Sequence, residues 1–203
     1  LGTGRLRVRT TQRSALDQAQ PVVFVANHQV AVDIPVAMQA IPQPFGFVAK
    51  ASVRKIPFLG FAVAHTACLF VDRTHPRQAL ASLQAAATKV RDGHSVLFFI
   101  EGTRSYAPVL TDVRRGAFML AVEAQVPLVP VTIRTSYRLA DERALGAQRG
   151  TVEVVLGTPI PTTGRTRRDL PTLIDTVRTA VTAELRDAHA TWAARLPAPP
   201  PAV

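Results

Sequence analysis

The feature that most constrains the fold of this chain is a set of short runs that are nonpolar almost throughout: Val22 to Ala26, Ser95 to Ile100 and Pro127 to Ile133. They are rich in β-branched and aromatic residues and too short for helices. They predict strands buried on both faces, as inside a parallel sheet. Gly46 to Ala49, Ala67 to Asp72 and Thr151 to Leu156 are further strand candidates. Arg5-Leu6-Arg7-Val8-Arg9 alternates with period two instead, which predicts an edge strand with one solvated face, protected by its charges.

Helical spacing fills the intervals. Leu80, Leu83, Ala87 and Val90 share one face of Gln78 to Arg91, with Gly93 as the stop, and Phe118, Ala121 and Val122 repeat the pattern in Arg115 to Gln125. Leu173, Val177, Val181 and Leu185 do the same in Leu173 to Ala188, after Pro171, which suits a first helical turn. Strands alternating with helices predict an α/β fold: a single domain over residues 1–195 with a mixed, mostly parallel central sheet flanked by helices. A chain of 203 residues, 47% of them hydrophobic, is large enough for one substantial core. The Pro-rich end, 196–203, predicts an extended, disordered tail.

A net charge of +10, with Arg far in excess of Lys, points to anionic partners such as phosphorylated substrates, anionic lipid or nucleic acid. With aromatics at 6% and no helix-turn-helix or RNA-recognition signature, nucleic acid is not expected. The one cysteine, Cys68, sits in an apolar run and predicts an inert core thiol, with neither a disulfide framework nor a cysteine metal site. No apolar stretch approaches the length of a membrane span. The chain starts at Leu1 rather than Met, which leaves room for a membrane anchor upstream.

Polar clusters follow two of the nonpolar runs. Asn27-His28-Gln29-Val30-Ala31-Val32-Asp33 sets an imidazole and a carboxylate five residues apart, and Glu101-Gly102-Thr103-Arg104 follows about seventy residues later. Alone, a pair like His28 and Asp33 is most often structural. Lys50 and Asp72-Arg73 also follow strand candidates, however, and in open α/β sheets the loops at the carboxyl ends of the strands converge on ligands. A base with its orienting carboxylate, cations at Lys50 and Arg104, and a turn at Gly102 suit transfer to a hydroxyl of a phosphorylated molecule. Phosphate-loop, dinucleotide-binding and serine-hydrolase signatures are absent, and no histidines have metal-ligand spacing.

In this order the residues resemble the glycerolipid acyltransferases typified by bacterial 1-acylglycerol-3-phosphate acyltransferase. The matching blocks are Asn27-His28 through Asp33; Lys50 with Ile56 to Gly60 and Phe70 to Arg73; Phe99 through Ser105; and Val126 to Val131. Val30 stands where the family commonly has Ser, and Ile100 where it usually has Pro. The resemblance implies a glycerol-3-phosphate acyltransferase-like fold and a reaction without metal or cofactor. Acyl-CoA or acyl carrier protein would be the co-substrate. His28 would be the general base and Asp33 its orienting partner. Lys50, Glu101, Gly102, Thr103 and Arg104 would bind the substrate phosphate, with Arg73, Arg114 and Arg115 as secondary anion contacts.

The acceptor so implied is a lysophospholipid, foremost lysophosphatidic acid, with lyso-ornithine lipid or another lysolipid as the alternative. The place implied is the inner, cytoplasmic face of an anionic membrane, peripherally bound. A non-catalytic basic protein binding anionic membrane or nucleic acid is the competing class. His65, His75, His94 and His189 have no partners in sequence and read as surface or packing residues. Phe58 to Ala64 reads as core before membrane-dipping helix, and Arg165 to Arg168 as a solvated loop.

Overall fold

The computed structural model describes residues 6–50, 69–71, 76–141, 146–147 and 149–193. The strands are β1 (Leu6–Gln12), β2 (Val23–Ala26), β3 (Phe45–Lys50), β4 (Leu69–Val71), β5 (Ser95–Phe99), β6 (Leu128–Ile133), β7 (Ala140–Asp141), β8 (Gly146–Ala147) and β9 (Gly150–Leu156). Seven of them form one sheet in the order β1-β9-β6-β2-β5-β3-β4, and β7 and β8 pair separately. Pairing is parallel from β6 through β2, β5 and β3 to β4; β9 runs antiparallel to β6, and β1 lies parallel to β9 at the edge. The three nonpolar runs are thus neighbours at the centre, where every residue of β2 and β6 is buried. The five strands from β6 to β4, all parallel, share one carboxyl edge.

The helices are α1 (Asp33–Ala40), α2 (Pro76–Arg91), α3 (Gly116–Ala124), α4 (Ser136–Leu139) and α5 (Leu170–Ala193). Period-two alternation divides the core. Val23 and Val25 of β2 face one side, with Val96, Phe98 and Leu128, under apolar residues of α2, α3 and α5. Phe24 and Ala26 face the other, with Leu97, Val129 and Val131, under Val36, Ala37 and Ala40 of α1. Among the described residues the second face is covered more thinly, and Phe45, Phe47 and Phe99 lie there only partly buried.

Sequence periodicity did not foretell α1 or α4. Both are short, and α1 holds Pro35, tolerated because it falls in the first turn, where an amide hydrogen has no intrahelical acceptor. At the far end of β6, Arg134 is buried beneath α5. Its guanidinium pairs with Glu184, with Asp187 at 3.2 Å and with Glu153 of β9 at 3.5 Å, while Arg13 also reaches Glu184 at 2.7 Å.

The basic stretch at Arg165 is not a plain loop. Thr166 caps a 3-10 turn, Arg167–Asp169, that feeds α5. The amide and hydroxyl of Thr166, together with Arg165, hold the half-buried Asp169 carboxyl below its ordinary range. Among the described residues no helix is long and apolar enough to cross a membrane. Phe58 to Ala64, His65, Cys68, Arg73, His75 and the tail 196–203 lie outside the described residues.

Candidate active site

The turn that leaves β2 is wound around a carboxylate. Asp33, the first residue of α1 and wholly buried, turns its side chain back, so that Oδ2 accepts the backbone amides of Gln29 at 2.5 Å and Val30 at 3.0 Å. The same oxygen faces Nδ1 of His28 at 3.1 Å. A carboxylate on Nδ1 fixes the tautomer with its proton there, which leaves Nε2 with a free lone pair. Asn27, also buried, pairs its side-chain amide with both backbone groups of Ile133, at 3.0 and 2.8 Å, prolonging the β2–β6 ladder beyond the last strand residue.

The imidazole rests on a ring. Ala26 pairs with Phe99 in the β2–β5 register, so the residue two beyond Ala26 rises on the same face as Phe99. His28 and Phe99 stack with centroids 4.0 Å apart and planes 19° from parallel. Phe47 stacks behind Phe99 at 6.2 Å and 18°, and Phe45 meets Phe47 edge-on at 5.2 Å.

A second buried carboxylate holds the backbone of the same histidine. Glu101 is 2% exposed; its Oε1 accepts the His28 amide at 2.9 Å, and its Oε2 accepts the amide and hydroxyl of Thr111 at 2.9 and 2.6 Å. A buried charge is tolerated when its lone pairs are met, and here both oxygens are engaged by protein donors. Gly102 then turns with φ +76°, in the left-handed region that glycine enters without strain. Beyond it Ser105 and Tyr106 donate their amides to the carbonyls of His28 and Gln29 at 2.9 and 3.2 Å, and the Arg114 amide closes on the Ile100 carbonyl at 2.8 Å. Thr103 and Arg104 are exposed on this loop, with the Arg104 guanidinium 5.4 Å above the Tyr106 ring.

The structure thus brings His28, Asp33, Glu101, Gly102, Thr103 and Arg104 together at one edge, and Lys50 ends β3 at that edge. Arg115 is placed differently. It caps α3 and lines a cleft of about 310 Å³ with Arg167, Leu170 and Ile174, on the face opposite the His28 and Phe99 stack. Val30 is 1% exposed and serves the turn through its amide. The Ile100 amide, which a proline would lack, donates to the Ala26 carbonyl at 3.0 Å. Sequence reading missed Phe99 as a stacking partner, Thr111, and Ser136, whose buried hydroxyl donates to Gln29 Oε1 at 2.8 Å. None of the three had a signal in the sequence: Phe99 is placed by the β2–β5 register, Thr111 by loop geometry and Ser136 by its place at the start of α4.

An open α/β sheet with a partly buried histidine hydrogen-bonded to a buried carboxylate at its carboxyl edge has its polar site where such sheets bind ligands, and similarity resolves it further. The family model for Acyltransferase matches residues 7–134, and the chain belongs to that family. Human 1-acyl-sn-glycerol-3-phosphate acyltransferase beta is 32% identical over 178 residues, 87% of this chain and 63% of that protein. The 1-acyl-sn-glycerol-3-phosphate acyltransferase of Saccharomyces cerevisiae is 30% identical over 171 residues, 83% of this chain and 56% of that protein. This chain therefore spans less than two thirds of the length of either relative. The crystal structure of the 1-acyl-sn-glycerophosphate acyltransferase PlsC from Thermotoga maritima superposes with a TM-score of 0.71 over 92% of this chain and 73% of that one, at 24% identity, and shows the same fold.

Proposed function

We propose that this protein transfers an acyl chain from a thioester to the free hydroxyl of lysophosphatidic acid, giving phosphatidic acid. The observation on which this rests is the hydrogen bond of His28 Nδ1 to the buried Asp33, 3.1 Å long, beside the Glu101 to Arg104 turn in a chain of this family. His28 Nε2 takes the proton of the acceptor hydroxyl as its oxygen attacks the thioester carbonyl. The tetrahedral intermediate collapses with loss of thiolate, which takes the proton back from the imidazolium. Asp33 stabilises that imidazolium and keeps its plane. Glu101 acts by fixing the His28 backbone, while Gly102, Thr103, Arg104 and Lys50 meet the acceptor phosphate. Acyl-CoA or acyl carrier protein supplies the acyl group, and neither metal nor cofactor is required. The basic surface suits action at the anionic inner face of a membrane.

The test is thiol release from paired acyl donors and lysolipid acceptors. His28→Ala is expected to lower turnover roughly 10³-fold with folding intact. Full turnover in that variant, or no turnover by the unaltered protein with any lysophospholipid, would overturn the reading.

A further inference from the structure

We propose that Phe99 is a positioning residue for His28, its ring face fixing the plane of the imidazole and stabilising the positive charge that the imidazole gains during proton transfer. The inference rests on the reading of His28 as general base. The Nδ1 bond to Asp33 sets where the ring edge points, yet leaves the ring free to tilt about that bond. A ring stacked at 4.0 Å and 19° removes the tilt. Phe99 is itself backed by Phe47, stacked at 6.2 Å, so it is not free to give way.

The electronic argument runs the same way. The face of a benzene ring is its negative side and attracts a cation more than a neutral ring. His28 is neutral before the acceptor is deprotonated and cationic afterwards, so the stack favours the transition state over the ground state. The charged groups around it are the carboxylates of Asp33, at Nδ1, and Glu101, at its backbone amide. Arg104 and Tyr106 lie on the loop bonded to the carbonyls of His28 and Gln29, and Lys50 ends β3. Among the described side chains it is Phe99 that covers this face of the imidazole.

The experiment measures kcat, both KM values and the pH profile of kcat/KM for the full chain carrying Phe99→Leu, Phe99→Tyr and a series of fluorinated phenylalanines at residue 99. Fluorination drains the ring face while nearly preserving shape, so it keeps the question answerable should Phe99→Leu not fold. Phe99→Leu is expected to lower kcat about tenfold, with both KM values within about twofold. The acid limb of its kcat/KM profile should move to lower pH, because the cationic imidazole loses a stabilising face. Phe99→Tyr should restore most of the rate, and kcat should fall stepwise with added fluorine.

A flat fluorine series, or a loss of kcat with the acid limb unmoved, would overturn the proposal. His28→Ala is run alongside. If that variant keeps its turnover, the base assignment is at fault; if it is inactive while the fluorine series is flat, only the role of Phe99 is refuted.

Discussion

The two turns at the carboxyl edge are built on different plans. The turn from Asn27 to Val32 is short and inward-looking: Asn27, Gln29, Val30 and Asp33 are buried, and one carboxylate oxygen gathers the imidazole and two backbone amides. The turn from Gly102 to Arg115 is long and mostly exposed, held by a few backbone bonds and by Glu101. In the proposed mechanism, rigidity lies where a proton must move along a fixed line, and exposure where a substrate must be met. Glu101 belongs to the long turn by sequence and to the short one by behaviour. Two carboxylates thus serve one histidine, Asp33 through its ring and Glu101 through its main chain.

The largest effect should come from the short turn. Asp33→Asn keeps the volume but removes the charge that stabilises the imidazolium and selects its tautomer. Turnover by thiol release should fall roughly 10³-fold while both KM values stay within a few fold. Glu101→Gln comes next and tests whether this residue is scaffold or substrate ligand. An amide has one acceptor oxygen, so it cannot receive the His28 amide and the Thr111 pair together. The loss should be about 2 kcal/mol, read as a Tm lower by roughly 4–8 °C, with kcat reduced more than KM is raised. A variant of unchanged Tm with only the acceptor KM raised would return Glu101 to the phosphate.

Much of this division was legible in the sequence. Nonpolar runs that must be buried on both faces placed β2, β5 and β6 at the sheet centre, and the parallel order then forced their following loops onto one edge. Orientation of side chains was not legible. Nothing in Glu-Gly-Thr-Arg says that the acid turns inward while the arginine stays out, because that depends on Thr111, ten residues further on. The aromatic stack needed the β2–β5 register, which sequence does not supply. The helix at Asp33 was hidden by its brevity and by Pro35.

Arg104→Ala probes the exposed plan. Arg104 is surface-exposed, so its removal should leave Tm within about 1–2 °C, the range of ordinary surface substitutions. Loss of a charge-assisted contact to phosphate should raise the acceptor KM roughly tenfold or more, with the donor KM and kcat nearly unchanged. The contrast with Glu101→Gln, three residues away, is the sharpest available test of the two plans. A fall in Tm equal to that of Glu101→Gln would erase the distinction.

The smallest effect belongs to Thr111→Val. Its hydroxyl donates to Glu101 Oε2 at 2.6 Å, and its amide, which valine retains, donates to the same oxygen at 2.9 Å. The carboxylate therefore keeps one of the two donors on that oxygen, and the cost should be about 1 kcal/mol, near 2–4 °C in Tm. His28 should be almost untouched, since its amide binds the other oxygen, Oε1, at 2.9 Å. If Glu101 couples the two turns, the slackening should appear in the exposed loop as an acceptor KM raised a few fold at constant kcat. A kcat that falls in step with the KM would mean that the long turn and the proton-transfer turn move as one body.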